Sequence, residues 1–134
     1  MFQLSKKVEY GLIVLRHMAM KPRGQVFTAK ELANEYEIPY ELLAKVLQKL
    51  AKSGIVVSMQ GVKGGYALGQ KPEAIIVSDI IRVIEKERPM LAGCYVDGPL
   101  SCSIFDICTI RKPLEKIQKN INSLFDKMTI QEIV

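Results

Sequence analysis

Three cysteines carry the most distinctive chemistry in this chain. None occurs in the first 93 of its 134 residues, and Cys94, Cys102 and Cys108 then fall within fifteen. An odd number of thiols argues against a purely structural disulfide set. The pattern C-x7-C-x5-C lacks the closely spaced cysteine pairs of structural zinc sites, and it is not a C-x-x-C redox pair. Three thiolates on a loop bearing Gly93, Gly98 and Pro99 suit an iron–sulfur cluster, whose irons spread over several ångströms and accept wide ligand spacing. Such a cluster usually takes a fourth protein ligand, which the loop's cysteines do not supply. The alternative is that the three thiols are small buried apolar groups, for which a Gly/Pro-bearing polar loop is a poor setting.

Charge marks a second region. The chain has a formal net charge of +5, and residues 1–71 hold 11 Lys or Arg against 5 Asp or Glu. From Leu42 to Lys71 there are five lysines (Lys45, Lys49, Lys52, Lys63 and Lys71) and no acid. An acid-free basic stretch suits a polyanion, with nucleic acid ahead of a membrane surface. A solvated lysine-rich face is the plainer alternative.

The elements that must position these residues are mainly helical. Ser5 is a plausible N-cap for a first helix over Lys6–Met20, with Leu4, Val8, Leu12, Leu15 and Ala19 on its buried face. Thr28 and Glu31 have capping-box spacing and open a short helix over Ala29–Glu35. Tyr36-Glu37-Ile38 is a tight turn, and Pro39 is placed in the first turn of a third helix ending near Ser53, with Gly54 as its left-handed cap. A short helix, a turn and a longer helix make a helix-turn-helix. On the third helix Leu43, Val46, Leu47 and Leu50 face inward. Tyr40, Glu41, Ala44, Lys45, Gln48, Lys49 and Lys52 face outward, as on a helix lying in a major groove. Ile55–Met59 and Gly65–Leu68 read as two strands of a hairpin, with positive φ expected at Gly61 and Gly64 and Lys63 at the tip of a wing. Those glycines match neither a P-loop nor a dinucleotide fingerprint.

A helix from Val77 to about Glu87 points Ile80, Ile81 and Ile84 inward, and Pro89 stops it. Met90–Ile110 is the cysteine-bearing loop. A long last helix, from about Lys112 to Met128, carries Leu114, Ile117, Ile121, Leu124 and Met128 at heptad spacing between polar residues. That narrow seam suits a partner helix better than closure of the chain's own core. Thr129 to Glu132 has the spacing of a second capping box. No apolar run is long enough to span a bilayer and no signal peptide is evident, so a cytoplasmic protein without membrane attachment is expected.

The chain resembles the IscR/NsrR family of winged-helix iron–sulfur transcription regulators over nearly its whole length. The resemblance rests on Leu4 to Lys7 with Tyr10, on Ile38 to Gly54, on Gly61-x-Lys63-Gly64-Gly65-Tyr66-x-Leu68, on the three-cysteine loop, and on Thr129-Ile130-x-Glu132. It implies a homodimer with a swapped long helix, two winged helices on a palindromic operator, and a [2Fe-2S] or [4Fe-4S] cluster that alters DNA affinity. Two departures stand out. Arg111 occupies the place of the biogenesis regulator's histidine ligand and cannot ligate. The nitric-oxide-sensing branch takes its fourth ligand from an N-terminal aspartate of the other subunit, and the matching position here is Glu9; Asp97 and Asp106 are nearer in sequence and compete with it. Ala44 stands where the biogenesis regulator has a glutamate that restricts its DNA sites, so specificity does not carry over.

The expected architecture is therefore mainly α with a small β-hairpin: a winged helix-turn-helix over 1–71, a linking helix and cluster loop over 72–111, and a dimerisation helix with a terminal turn over 112–134. The expected function is a homodimeric transcription regulator, a repressor on double-stranded DNA, with Cys94, Cys102, Cys108 and Glu9 on the cluster. Tyr40, Glu41, Lys45, Gln48, Lys49 and Lys63 would lie on the DNA. A cluster-free regulator using the cysteines as thiol sensors is the alternative. A small metal-dependent enzyme is disfavoured: there is one histidine, no nucleophile elbow and no recognisable carboxylate pair. That histidine, His17, is expected to be structural.

Overall fold

A computed structural model describes residues 2–62 and 64–134, the side chains of Tyr95, Val96 and Ser101 excepted. Helix α1 spans Lys6–Ala19, and the Ser5 hydroxyl accepts from the Val8 N–H at its start. Its buried residues are Val8, Gly11, Val14, Leu15 and Met18. The inner face is therefore rotated from the expected one. Leu4, Leu12 and Ala19 pack at its margin, because α1 is covered on more than one side and needs a stripe wider than one heptad row.

Helix α2 spans Ala29–Glu35, and its capping box forms in full: Thr28 Oγ1 accepts from Glu31 N, and Glu31 Oε2 accepts from Thr28 N. The turn beyond it uses a left-handed residue at Glu37 (φ 52°), and Ile38 N closes it on the Ala33 carbonyl at 2.9 Å. Helix α3 spans Tyr40–Lys52. Pro39 is its N-cap residue, one place earlier than the sequence pattern implied. Gly54 has the left-handed φ (84°) expected after the helix.

The wing is an antiparallel pair, β1 (Val56–Met59) and β2 (Gly65–Leu68), in register from Val56 opposite Leu68 to Met59 opposite Gly65. Phe27 and Tyr66 exchange both backbone hydrogen bonds, so the segment before α2 borders the wing. A Cβ on Gly65 would stand 2.5 Å from the Phe27 carbonyl oxygen, so only glycine permits this approach. Positive φ occurs at Gly61 (114°), as expected. Gly64 serves space: a Cβ there would lie 3.0 Å from the Met59 carbonyl.

Helix α4 spans Val77–Glu85 and ends two residues short of expectation, because Lys86 adopts a left-handed cap (φ 64°) before Pro89 is reached. Ile80, Ile81 and Ile84 are all buried. The cysteine segment holds a one-turn helix α5 (Cys94–Asp97) and two 3-10 turns, Pro99–Ser101 and Phe105–Ile107. Helix α6 spans Arg111–Lys127, and a 3-10 turn over Ile130–Ile133 ends the chain.

The second capping box is not made. Glu132 N bonds the Thr129 backbone carbonyl at 3.2 Å, and no side chain caps the turn. The backbone on either side of Thr129 pairs with the start of α4: Ile130 N donates to Ile75 O and Val77 N to Met128 O, each at 2.9 Å. These bonds draw Ile130 to full burial in the core made by α1, α3 and α4.

Candidate DNA interface and cysteine recess

The recognition face follows from the amphipathic pattern of α3. Leu43, Val46, Leu47 and Leu50 are sealed in the core, and Tyr40, Glu41, Lys45, Gln48 and Lys49 stand exposed on the opposite side. Tyr40 leads the helix with 56% of its surface free. Phenol, carboxylate, amide and ammonium groups thus lie within two turns of one another, the mixture needed for base edges and phosphates. Lys49 departs from its expected place, since its ammonium donates to the Ile84 carbonyl of α4 at 3.0 Å. Lys63 lies outside the described residues. Beside it Val62, at the hairpin tip, is fully exposed.

His17 packs edge-on to Phe27 and Tyr36, with ring centroids 5.0 and 5.4 Å away. Its Nδ1 is bonded to the Tyr36 hydroxyl. Burial, aided by the Lys21 charge, holds its pKa below the ordinary value of 6.5. It joins α1 to the α2–α3 turn and is structural, as its lone position implied.

Cys94, Cys102 and Cys108 are free, half-buried, and line a single recess of about 350 Å³. Asp97 and Arg111 share its wall with the apolar Ile110 and Leu114. The first turn of α6 therefore borders the recess. Arg111 is engaged elsewhere, its guanidinium 4.0 Å from the centroid of the Phe105 ring.

Among the described residues no three His, Cys, Asp or Glu side chains converge closely enough to hold a single metal ion. Thiols spread around one recess fit a group several ångströms across better than a point charge. Glu9 is not on this recess. Its carboxylate holds the Lys6 ammonium at 2.8 Å on a half-exposed part of α1. Asp106 is exposed and also off the recess, so Asp97 is the one competing carboxylate that the fold brings to the thiols.

A polar clamp escaped sequence reasoning. Gln118 is buried; its Oε1 accepts from Leu91 N at 2.8 Å and its Nε2 donates to Pro89 O at 3.1 Å. It also donates to Asn122 Oδ1 at 3.0 Å, and Asp126 accepts from Arg88 at 2.7 Å. Arg88, with Ser78, holds the Asp126 carboxyl below the usual carboxylate range. The signal was present as a polar stripe at i, i+4 and i+8 (Gln118, Asn122, Asp126) beside the apolar seam.

That seam is partly uncovered. On it Ile117 is 48% exposed and Leu124 54%, while Leu114, Ile121 and Met128 are half-buried. No helix among the described residues is long and apolar enough to cross a membrane.

The family model described as Rrf2, iron-dependent transcriptional regulator, matches residues 4–134. The regulator NsrR of Bacillus licheniformis is 30% identical over 132 residues, covering 98% of this chain and 92% of its own. Among solved structures, CymR, described as the global cysteine regulator of B. subtilis, superposes with a TM-score of 0.76 at 28% identity, covering 99% of this chain and 96% of its own. The IscR of T. potens superposes with a TM-score of 0.72 at 28% identity, covering 98% and 85%.

Proposed function

This chain belongs to the Rrf2 family of DNA-binding transcriptional regulators, which are not enzymes, and from that premise we propose a homodimeric repressor whose DNA affinity is set by an iron–sulfur cluster. The observation that carries the reading is the gathering of Cys94, Cys102 and Cys108 around one recess at the foot of α6. A cluster there supplies irons open to redox change and ligand exchange. The three thiolates hold it, and a carboxylate completes the set. The family resemblance makes Glu9 of a second copy the favoured fourth ligand, with Asp97, which lines the recess, as its rival. A carboxylate is a hard oxygen donor at this otherwise soft site, and so the ligand most readily exchanged.

The rest of the mechanism belongs to the chain's own residues. Residues 1–71 form the DNA-binding region, 72–111 the sensing segment, and 112–134 the dimerisation helix and terminal turn. Ile117, Ile121 and Leu124 pair α6 with its copy, which places two recognition helices on a palindromic operator at fixed spacing. Tyr40, Glu41, Lys45 and Gln48 face the groove, and the charge of Lys63 serves the DNA backbone or minor groove. Gln118 and Arg88 bind the start of the cysteine segment to α6, so reordering of residues 92–110 changes the load on α6 and on the helix spacing.

Protein purified without oxygen tests this. Brown material with iron and acid-labile sulfide, both lost in Cys102→Ala, is the expected result. A protein that stays colourless after cluster reconstitution overturns it. The three free thiols and the likeness to CymR favour one other reading, a cluster-free thiol switch.

A further inference from the structure

Lys49 stands on the outer face of α3 with the groove-facing residues, yet its ammonium points away from them. It donates to the Ile84 carbonyl at 3.0 Å. Ile84 lies one residue before the end of α4, and Lys86 then turns out of the helix with φ 64°. Its carbonyl is one of the last-turn acceptors that find no partner further along their own helix. A cation at that end also meets the negative pole of the helix dipole. Position along α3 agrees. Lys49 is about 13 Å up the axis from Tyr40, whereas recognition helices read base edges from their N-terminal turns.

Residues 84–88 collect other long-range bonds. The Ser5 hydroxyl donates to Glu85 Oε1 at 2.7 Å, joining the start of α1. Arg88 reaches Asp126 and the Asn122 carbonyl of α6. The end of α4 is thus a junction at which α1, α3 and α6 are each held by a hydrogen bond.

We propose that Lys49 is a positioning residue for DNA binding: it caps α4, holds the recognition helix to the junction at residues 84–88, and contacts no phosphate. This goes beyond the DNA-binding reading and rests on it. Its consequence is a direct mechanical link from the α6 side of the molecule to α3.

The probe is a duplex enriched by the wild-type protein from a random-sequence pool. Lys49→Met is expected to weaken binding about tenfold and leave the slope of log affinity against log salt unchanged. Lys49→Arg restores most of the loss, because a guanidinium still donates to the carbonyl. Lys45→Met, which removes a groove-facing charge, lowers that slope by about one. A Lys49→Met slope lowered like that of Lys45→Met overturns the proposal, and so does unchanged affinity. Amide exchange without DNA is the second measurement. Faster exchange at residues 84–88 in Lys49→Met supports the cap, and unchanged exchange overturns it. If no duplex is enriched, the DNA-binding reading fails on its own and the positioning role falls with it; the exchange data still decide the cap.

Discussion

The winged-helix half and the cysteine-bearing half of this chain are finished to different degrees. Among the described residues every buried apolar side chain lies between Val8 and Ile84, save Ile130. Between residues 85 and 129 the one buried side chain among those described is polar, Gln118. The first half closes its own core and satisfies its helix ends with Ser5 and with the Thr28–Glu31 box. The second half displays isoleucines and leucines on α6 and the 3-10 turns, and three unpaired thiols. Apolar surface left open in a row along a helix is an unfilled interface, and thiols around a recess are an unfilled ligand set. One half is specified by its own side chains. The other is specified together with what binds it.

The contrast is most strongly tested in the core. Leu47→Ala, at a fully buried site in α3, should lower the free energy of unfolding by about 3 kcal/mol in chemical denaturation. A cost near zero would mean that the first half is not the stabilising unit. The double change Ile117→Glu with Leu124→Glu should cost at least about 2 kcal/mol of dimerisation free energy by sedimentation, while the helical content of each chain is kept. If that variant instead melts like Leu47→Ala, the seam belongs to the chain's own core and the comparison collapses.

Gln118→Leu sharpens the boundary between the halves. It strands the Leu91 N–H and the Pro89 carbonyl, and should cost about 1–2 kcal/mol, with faster amide exchange at Leu91. Equal loss of protection throughout α1 and α3 would show that the clamp supports the whole fold. The smallest effect is at His17. Its folded pKa is depressed, so the unfolded chain binds more protons below 6.5. Its contribution is complete above that pH and falls away as the pH drops through the folded value. The thermal midpoint of wild type should therefore fall more than that of His17→Gln between pH 7 and 5; parallel curves would remove His17 from the linkage.

Much of the fold was legible because it is local. The inner face Leu43, Val46, Leu47 and Leu50, the first capping box, the left-handed Gly54 and the hairpin strands all follow from spacing within a few residues. The cysteine cluster and the exposed heptad seam were legible too, since composition alone sets them apart. Less visible were features that depend on distant partners. The capping-box spacing at Thr129–Glu132 made no box, because Glu132 N closes a 3-10 turn on the Thr129 backbone carbonyl. Lys49 looked like its groove-facing neighbours until the end of α4 came within reach of its ammonium. Of the three carboxylates Asp97, Asp106 and Glu9, only the folded chain showed that Asp97 lines the recess with the thiols and that Asp106 and Glu9 of the same chain do not.

Sequence by itself determined the helix-turn-helix, the wing, the basic face and the grouping of thiols, because hydrophobic period, caps and charge act over one or two turns. Tertiary structure decided where the free ends go. It plugged Ile130 into the N-terminal core, turned Lys49 onto Ile84, and closed Gln118 over residues 89–91. Those choices pair donors and acceptors that lie 27 to 55 residues apart along the chain, and no local pattern encodes which orphan group will meet which.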